Sequence, residues 1–182
     1  MNLVDAVKTS EIAEQVGELL LKHGNQTYAD IWNFGLQVAL RISDLLSLTY
    51  ADVQGDRLVI IEGKTSKPRH IVLNTKAKAI VERRKADNPT HVYLFEVSTN
   101  RAKGKPISRE NVSRKFKEIG EIIGIALGTH SMRKTRGWVM YNSGINIETI
   151  AKVLNHSSPA ITMRYIGLDQ QTVDNTYTTF II

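Results

Sequence analysis

The middle of the chain breaks the helical rhythm on either side of it. Arg57–Glu62 (RLVIIE) and Arg69–Leu73 (RHIVL) are short, β-branched and apolar, and only GKTSKP separates them. Runs of that length and composition pair as antiparallel strands, and a joint bearing Gly, Ser and Pro closes them into a hairpin with a basic tip. Elsewhere apolar residues recur at helical spacing. Ser10–Lys22 places Ile12, Val16, Leu19 and Leu20 on one side, and Gly24 stops it. Thr27–Leu40 predicts a second, mostly buried helix. Ile42–Leu48 predicts a short third, with Leu45, Leu46 and Leu48 as core candidates. Beyond the hairpin, Thr75–Ala86 predicts a basic helix and Val92–Val97 a short strand. Ser108–Ile123 predicts a helix with Ser108 as its N-cap. Ser131–Asn142 and Ile147–Leu154 predict two helices broken at Ser143–Gly144. A short helix or turn over Pro159–Tyr165 and an apolar-ended tail, Val173–Ile182, complete the chain. The fold class is therefore mainly α with a small antiparallel β-sheet, α+β.

With 182 residues the chain can bury one good-sized core. It has no cysteine, which excludes disulfides and thiolate metal sites and fits a reducing, intracellular setting. Met1–Lys8 lacks the apolar region of a signal peptide, and no apolar run approaches the roughly 20 residues of a transmembrane helix. The net charge of +6 is unevenly spread. Residues 1–63 carry 4 basic and 9 acidic side chains, residues 64–85 carry 8 and 1, and residues 101–120 carry 7 and 2. Basic blocks of this kind suit a polyanion, most simply nucleic acid, although two solvated helix faces would give the same counts.

Several residues invite a chemical reading. His130 and Arg133 in GTHSMRKT are three apart at the start of a helix and so share a face. An Arg fork and a His donor at a helix N-terminus can hold the oxygens of a phosphodiester, although surface residues near a cap would look the same. Arg41 in ALRISDLLSLTYADV lies between apolar runs, with Asp44 as its obvious local partner. Lys64 begins the hairpin tip, where a lysine is ordinarily just solvated but can also protonate a departing oxygen; Lys67 competes for that role. Tyr165 follows His156 by nine residues in NHSSPAITMRYIG. Nearby cations can stabilise a phenolate and make a tyrosine nucleophilic, and Tyr177 is the alternative on chemistry alone.

Taken in order, Arg41, the hairpin Lys64, H-x-x-R, and a His nine residues before a Tyr form a constellation. It resembles the catalytic domain of the tyrosine recombinases, the phage integrase family, from about Asp30 to Tyr165. ALRISDLLSLTYADV is similar to the family's first box, and GTHSMRKT with LNHSSPAITMRYIG to its second. The resemblance implies that Arg41 and Arg133 clamp the scissile phosphate. It implies that His130 contacts that phosphate and assists proton transfer, and that His156 hydrogen-bonds it. Lys64 would be the general acid for the leaving 5′ hydroxyl, Tyr165 the nucleophile, and Asp44 a supporting acid that orders the site. The reaction implied is DNA breaking and rejoining through a 3′-phosphotyrosine, in integration, excision or inversion. It needs no cofactor, because the ester conserves bond energy and cations replace metal ions, so no metal ligands are expected.

The resemblance further implies double-stranded DNA as partner, self-association on DNA as a tetrameric synapse, and accessory DNA-bending proteins. It implies a cytoplasmic, nucleoid-associated location and no membrane partner. Lys67, Arg69, Lys103, Lys105, Arg109 and Lys134 are the candidate DNA-binding cations. Residues 1–182 are expected to form a single catalytic domain, without the N-terminal core-binding domain most members carry. Asn155 stands where the family usually has Gly, and Lys134 where His is common. Two other functions compete: a type IB topoisomerase-like enzyme that reseals the same strand, and a DNA-binding protein that kept the fold without activity. The full set of six residues argues against the second.

Overall fold

Thr9 and Asn25 start the first two helices of the computed structural model, which describes residues 4–64, 66–99, 102–168, 174, 177–179 and 181. The Thr9 hydroxyl accepts the Ile12 amide ahead of α1 (Ser10–His23). The Asn25 side chain accepts from Thr27 and Tyr28 ahead of α2 (Gln26–Val38). Each cap satisfies amides that have no partner inside the helix. The two helices are joined across their faces by Trp32, whose indole N–H donates to the Ala13 carbonyl at 2.8 Å. Ala39 ends α2 in the left-handed region at φ 51°, and the chain turns into the short α3 (Ile42–Leu46).

The expected hairpin forms. β1 (Val53–Gln54), β2 (Arg57–Ile61) and β3 (Pro68–Val72) make an antiparallel sheet in that order, with Arg57 opposite Val72 and Ile61 opposite Pro68. Leu58 and Ile60 face the core, while Arg57 and Ile61 are exposed, the alternation of a half-buried strand. Asn74 caps α4 (Thr75–Asp87). Part of the basic block is used internally here: Arg84 is buried, donates to the Leu94 carbonyl at 2.6 Å and pairs with the buried Asp30 at 2.9 Å. Arg83 binds the other oxygen of the same carboxylate.

The strand expected over Val92–Val97 is displaced. β4 runs Glu96–Thr99 and pairs with β5 (Ala102–Pro106) in a second hairpin. Residues 92 and 93 are drawn into a turn because the Glu96 carboxylate accepts both their amides, at 2.9 and 3.2 Å. Tyr93 keeps only an isolated bridge to Thr49. β5 reads AKGKP, with no apolar alternation to betray a strand.

Ser108 caps α5 (Arg109–Ile123). Then follow α6 (Ser131–Asn142), α7 (Ile147–Val153) and α8 (Pro159–Ile166). The main core gathers Trp32, Phe34, Leu45, Leu58, Phe95, Phe116 and Met132. A second, smaller one joins Ala39, Ile150, Leu154 and Ile166, with Tyr165 packed against it. α6 and α8 approach closely at Gly137, where an added Cβ would lie 2.7 Å from Ile166 Cγ2. That contact fixes the height of α8, and hence of Tyr165, over α6. The tail Val173–Ile182 lies largely outside the described residues. No helix among the described residues is long and apolar enough to cross a membrane.

Candidate active site

The site is built where the second core meets the sheet. Arg133 on α6 is 2 % exposed, and its guanidinium donates to the Ala39 and Leu154 carbonyls. Those carbonyls stand at the C-terminal ends of α2 and α7, where helix dipoles present partial negative charge. A buried cation is tolerated there because both Nη atoms have carbonyl partners at the negative ends of helices. The left-handed turn at Ala39 is what aims the first of these carbonyls.

Tyr165 lies on α8 with its hydroxyl 3.1 Å from His130 Nδ1. His130 is the N-cap residue of α6. The His156 ring meets the Tyr165 ring edge-on, with centroids 4.8 Å apart. The Arg133 guanidinium carbon and the Lys134 ammonium lie 6.0 and 5.6 Å from the tyrosine ring centroid, distances at which cations feel its face. His130 at the hydroxyl, and His156, Arg133 and Lys134 around the ring, thus bring the two sequence segments GTHSMRKT and NHSSPAITMRYIG together at one tyrosine. Tyr177, the competing tyrosine, is 80 % exposed.

Arg41 approaches from the other side. Its Nη1 donates to Glu62 Oε2 at 2.6 Å, and not to Asp44, the partner expected from spacing. Arg41 is the N-cap of α3 with extended φ and ψ, so the spacing rule for residues inside a helix does not apply to it. Asp44 instead accepts the Gly63 amide at 3.0 Å, tying the start of the hairpin tip to α3. Lys64 follows directly and is exposed, as is Lys67. The structure therefore anchors the tip at Gly63 and presents both lysines on it.

Glu62 is the residue that sequence reasoning missed. It directly follows β2, is fully buried, and accepts from Arg41, from Arg69 at 3.0 Å and from Asn155 at 2.6 Å. Its only signal in the sequence was an acid ending an apolar strand. Asn155 has φ 48°, in the left-handed region that Gly and, among side-chain-bearing residues, Asn adopt most readily. The departure from the family's Gly is thereby accommodated, and the Asn side chain gains a contact that Gly cannot make.

The candidate DNA-binding cations divide. Lys67, Lys105 and Arg109 are exposed. Arg69 pairs with Glu62 and donates to the Val153 carbonyl at 2.9 Å. Lys134 donates to the Val4 carbonyl at 2.8 Å. The Lys103 side chain lies outside the described residues.

Burial first, then the neighbouring cations, set the protonation states. Both push His130 below its ordinary value, with Arg133 the strongest charge. His156 is lowered to about 4 by burial, Arg133 and Arg41, against the pull of Glu62. Burial raises the Tyr165 phenol, and Arg133 and Arg41 oppose it. At neutral pH the free site thus holds two uncharged imidazoles and a protonated tyrosine. Because His156 binds a proton less readily folded than unfolded, stability is expected to fall as pH drops from about 6.5 towards 4. Thermal unfolding across that range should show the decline, and His156→Gln should make it shallower.

A tyrosine whose hydroxyl meets one imidazole and whose ring meets another, within the field of two arginines, is equipped for phosphoryl transfer by covalent catalysis. Known proteins give the class its name: the model of the phage integrase family matches residues 12–172. The probable integrase/recombinase YoeC of Bacillus subtilis (strain 168) is 37% identical over 99% of this chain and 98% of that protein. Tyrosine recombinase XerA of Pyrococcus furiosus is 34% identical over 69% of this chain but 45% of its own length. In solved structures, XerA recombinase matches 98% of this chain and 65% of that one, with a TM-score of 0.74 at 18% identity. A lambda integrase dimer bound to a COC′ core site matches 91% and 49%, with a TM-score of 0.70 at 16% identity. The chain therefore spans nearly all of YoeC and about half of the Pyrococcus furiosus XerA. It belongs to the phage integrase family and carries the fold of the tyrosine recombinase catalytic domain, the part that cleaves and rejoins DNA.

Proposed function

We propose that this chain recombines double-stranded DNA at specific sites through a 3′-phosphotyrosine made on Tyr165. The observation that carries the reading is the convergence of His130, His156 and Arg133 on the Tyr165 hydroxyl and ring. Arg133 and Arg41 take the non-bridging oxygens of the scissile phosphate. Arg133 is already desolvated, so its charge acts at low local dielectric. The arriving phosphate brings negative charge that raises the depressed His130 pKa, making its Nδ1 a better acceptor for the phenolic proton. The Tyr165 oxygen bonds to phosphorus as the bond from phosphorus to the 5′ oxygen breaks. Lys64 gives that oxygen a proton, and His156 donates a hydrogen bond to the phosphate. Attack by another strand's 5′ hydroxyl reverses the exchange and frees the tyrosine.

The exposed Lys67, Lys105 and Arg109 support a contact with the duplex backbone. Self-association on DNA into a tetramer, accessory bending proteins and action at the cytoplasmic nucleoid belong to the same reading, as does a single catalytic domain over residues 1–182. The test uses DNA carrying paired candidate sites, in EDTA. Joining of strands between sites, undiminished by the chelator, is expected, since three side-chain cations supply the positive charge. Relaxation of supercoiled plasmid without exchange would favour the topoisomerase-like reading. Activity lost in EDTA and restored by Mg²⁺ would contradict the mechanism.

A further inference from the structure

Glu62 lies on no reacting atom in the mechanism above, yet it is the most connected side chain beside it. Its carboxylate is fully buried and, among the described residues, receives donors from three parts of the chain. Arg41 comes from the start of α3, Arg69 from the return strand of the hairpin, and Asn155 from the turn after α7. The next residue after each end of this cluster belongs to the proposed chemistry or its support. Asn155 precedes His156, and Glu62 precedes Gly63, whose amide binds Asp44.

A carboxylate in that position has two possible effects on Arg41. It could withhold the guanidinium from a phosphate, or hold it in place for one. The geometry favours the second. Only Nη1 is engaged with Glu62, which leaves the rest of the fork's donors outside that bond, and the Arg41 side chain keeps 17% of its exposure. Two guanidinium groups face one carboxylate, so the cluster stays net positive when a phosphate approaches. Asn155 shares Oε2 with Arg41, so the turn carrying His156 and the guanidinium of Arg41 are fixed against the same atom.

We infer that Glu62 is a positioning residue for strand cleavage: it sets Arg41 and the His156 turn in one register and links both to the hairpin that carries Lys64. The inference rests on the proposed phosphotyrosine chemistry. Glu62→Gln keeps size and one acceptor but loses the charge that pairs two guanidinium groups, and its amide nitrogen turns donors either towards Arg69 or towards Arg41 and Asn155 together, so the three bonds cannot all survive. Asn155→Gly keeps the left-handed backbone and deletes the tether to Glu62.

The test is single-turnover cleavage of a nicked suicide duplex, with DNA affinity measured separately. Glu62→Gln is expected to cleave on the order of tenfold to a hundredfold more slowly, the scale of a small misplacement of a catalytic group, with affinity retained. Asn155→Gly should cleave several-fold more slowly and fold normally, so it carries the test even where Glu62→Gln is unstable. In an Arg41→Lys background, Glu62→Gln should add less than its loss in the wild type, because its effect passes through Arg41. Unchanged or faster cleavage in Glu62→Gln, wild-type cleavage in Asn155→Gly, or fully multiplicative losses with Arg41→Lys would overturn the inference. Absence of cleavage by the wild-type protein would instead count against the phosphotyrosine reading itself.

Discussion

Tyr165→Phe is expected to bind DNA as the parent does and to form no covalent adduct. The substitution removes one oxygen and leaves the ring in place against His156 and the second core. Its structural cost is the contact with His130 Nδ1, a group that is half-exposed to solvent and can bind water instead. Gel-resolved adduct on a suicide duplex and a separate binding isotherm distinguish loss of chemistry from loss of affinity. Adduct that persists at parental levels would move the nucleophile elsewhere, and Tyr177 is the first candidate.

Arg133→Ala is expected to fail more broadly. The missing guanidinium removes a transition-state contact worth on the order of 3 kcal/mol, a factor of about a hundred or more in cleavage rate. It also strands the Ala39 and Leu154 carbonyls, each buried and unpaired at a cost of roughly 1–3 kcal/mol. Cleavage and thermal stability should fall together. Arg133→Lys restores a charge but not a planar fork able to reach two helix ends, so it should recover some stability and little cleavage. Near-parental cleavage in either variant would mean that Arg133 does not hold the phosphate.

The two variants also show what the sequence made legible and what it did not. The hairpin was visible because RLVIIE and RHIVL change period abruptly, and the bounds of β2 and β3 follow closely. The second hairpin was invisible because AKGKP carries no pattern, and β4 starts late because the Glu96 carboxylate holds the Val92 and Tyr93 amides in a turn before it. The order of Arg41, Lys64, His130, Arg133, His156 and Tyr165 could be read from motifs, because spacing within a helix or turn is local. Which acid would meet Arg41 could not be read. Asp44 is three residues away and Glu62 twenty-one, and only the tertiary fold, which sets the residue after β2 beside the residue before α3, brings the distant one into contact. Charge counts could not show these pairings either. Arg69, Arg83 and Arg84 counted towards a DNA-binding block, and the fold uses all three to neutralise buried carboxylates.

The central claim is that Tyr165 becomes esterified to DNA. The most direct measurement is proteolysis of the adduct trapped on a nicked suicide duplex, followed by mass spectrometry of the peptide that retains nucleotide. The account predicts a 3′-phosphate on Tyr165, within the α8 segment Pro159–Ile166. Nucleotide found on Tyr177 or on any other residue would contradict it.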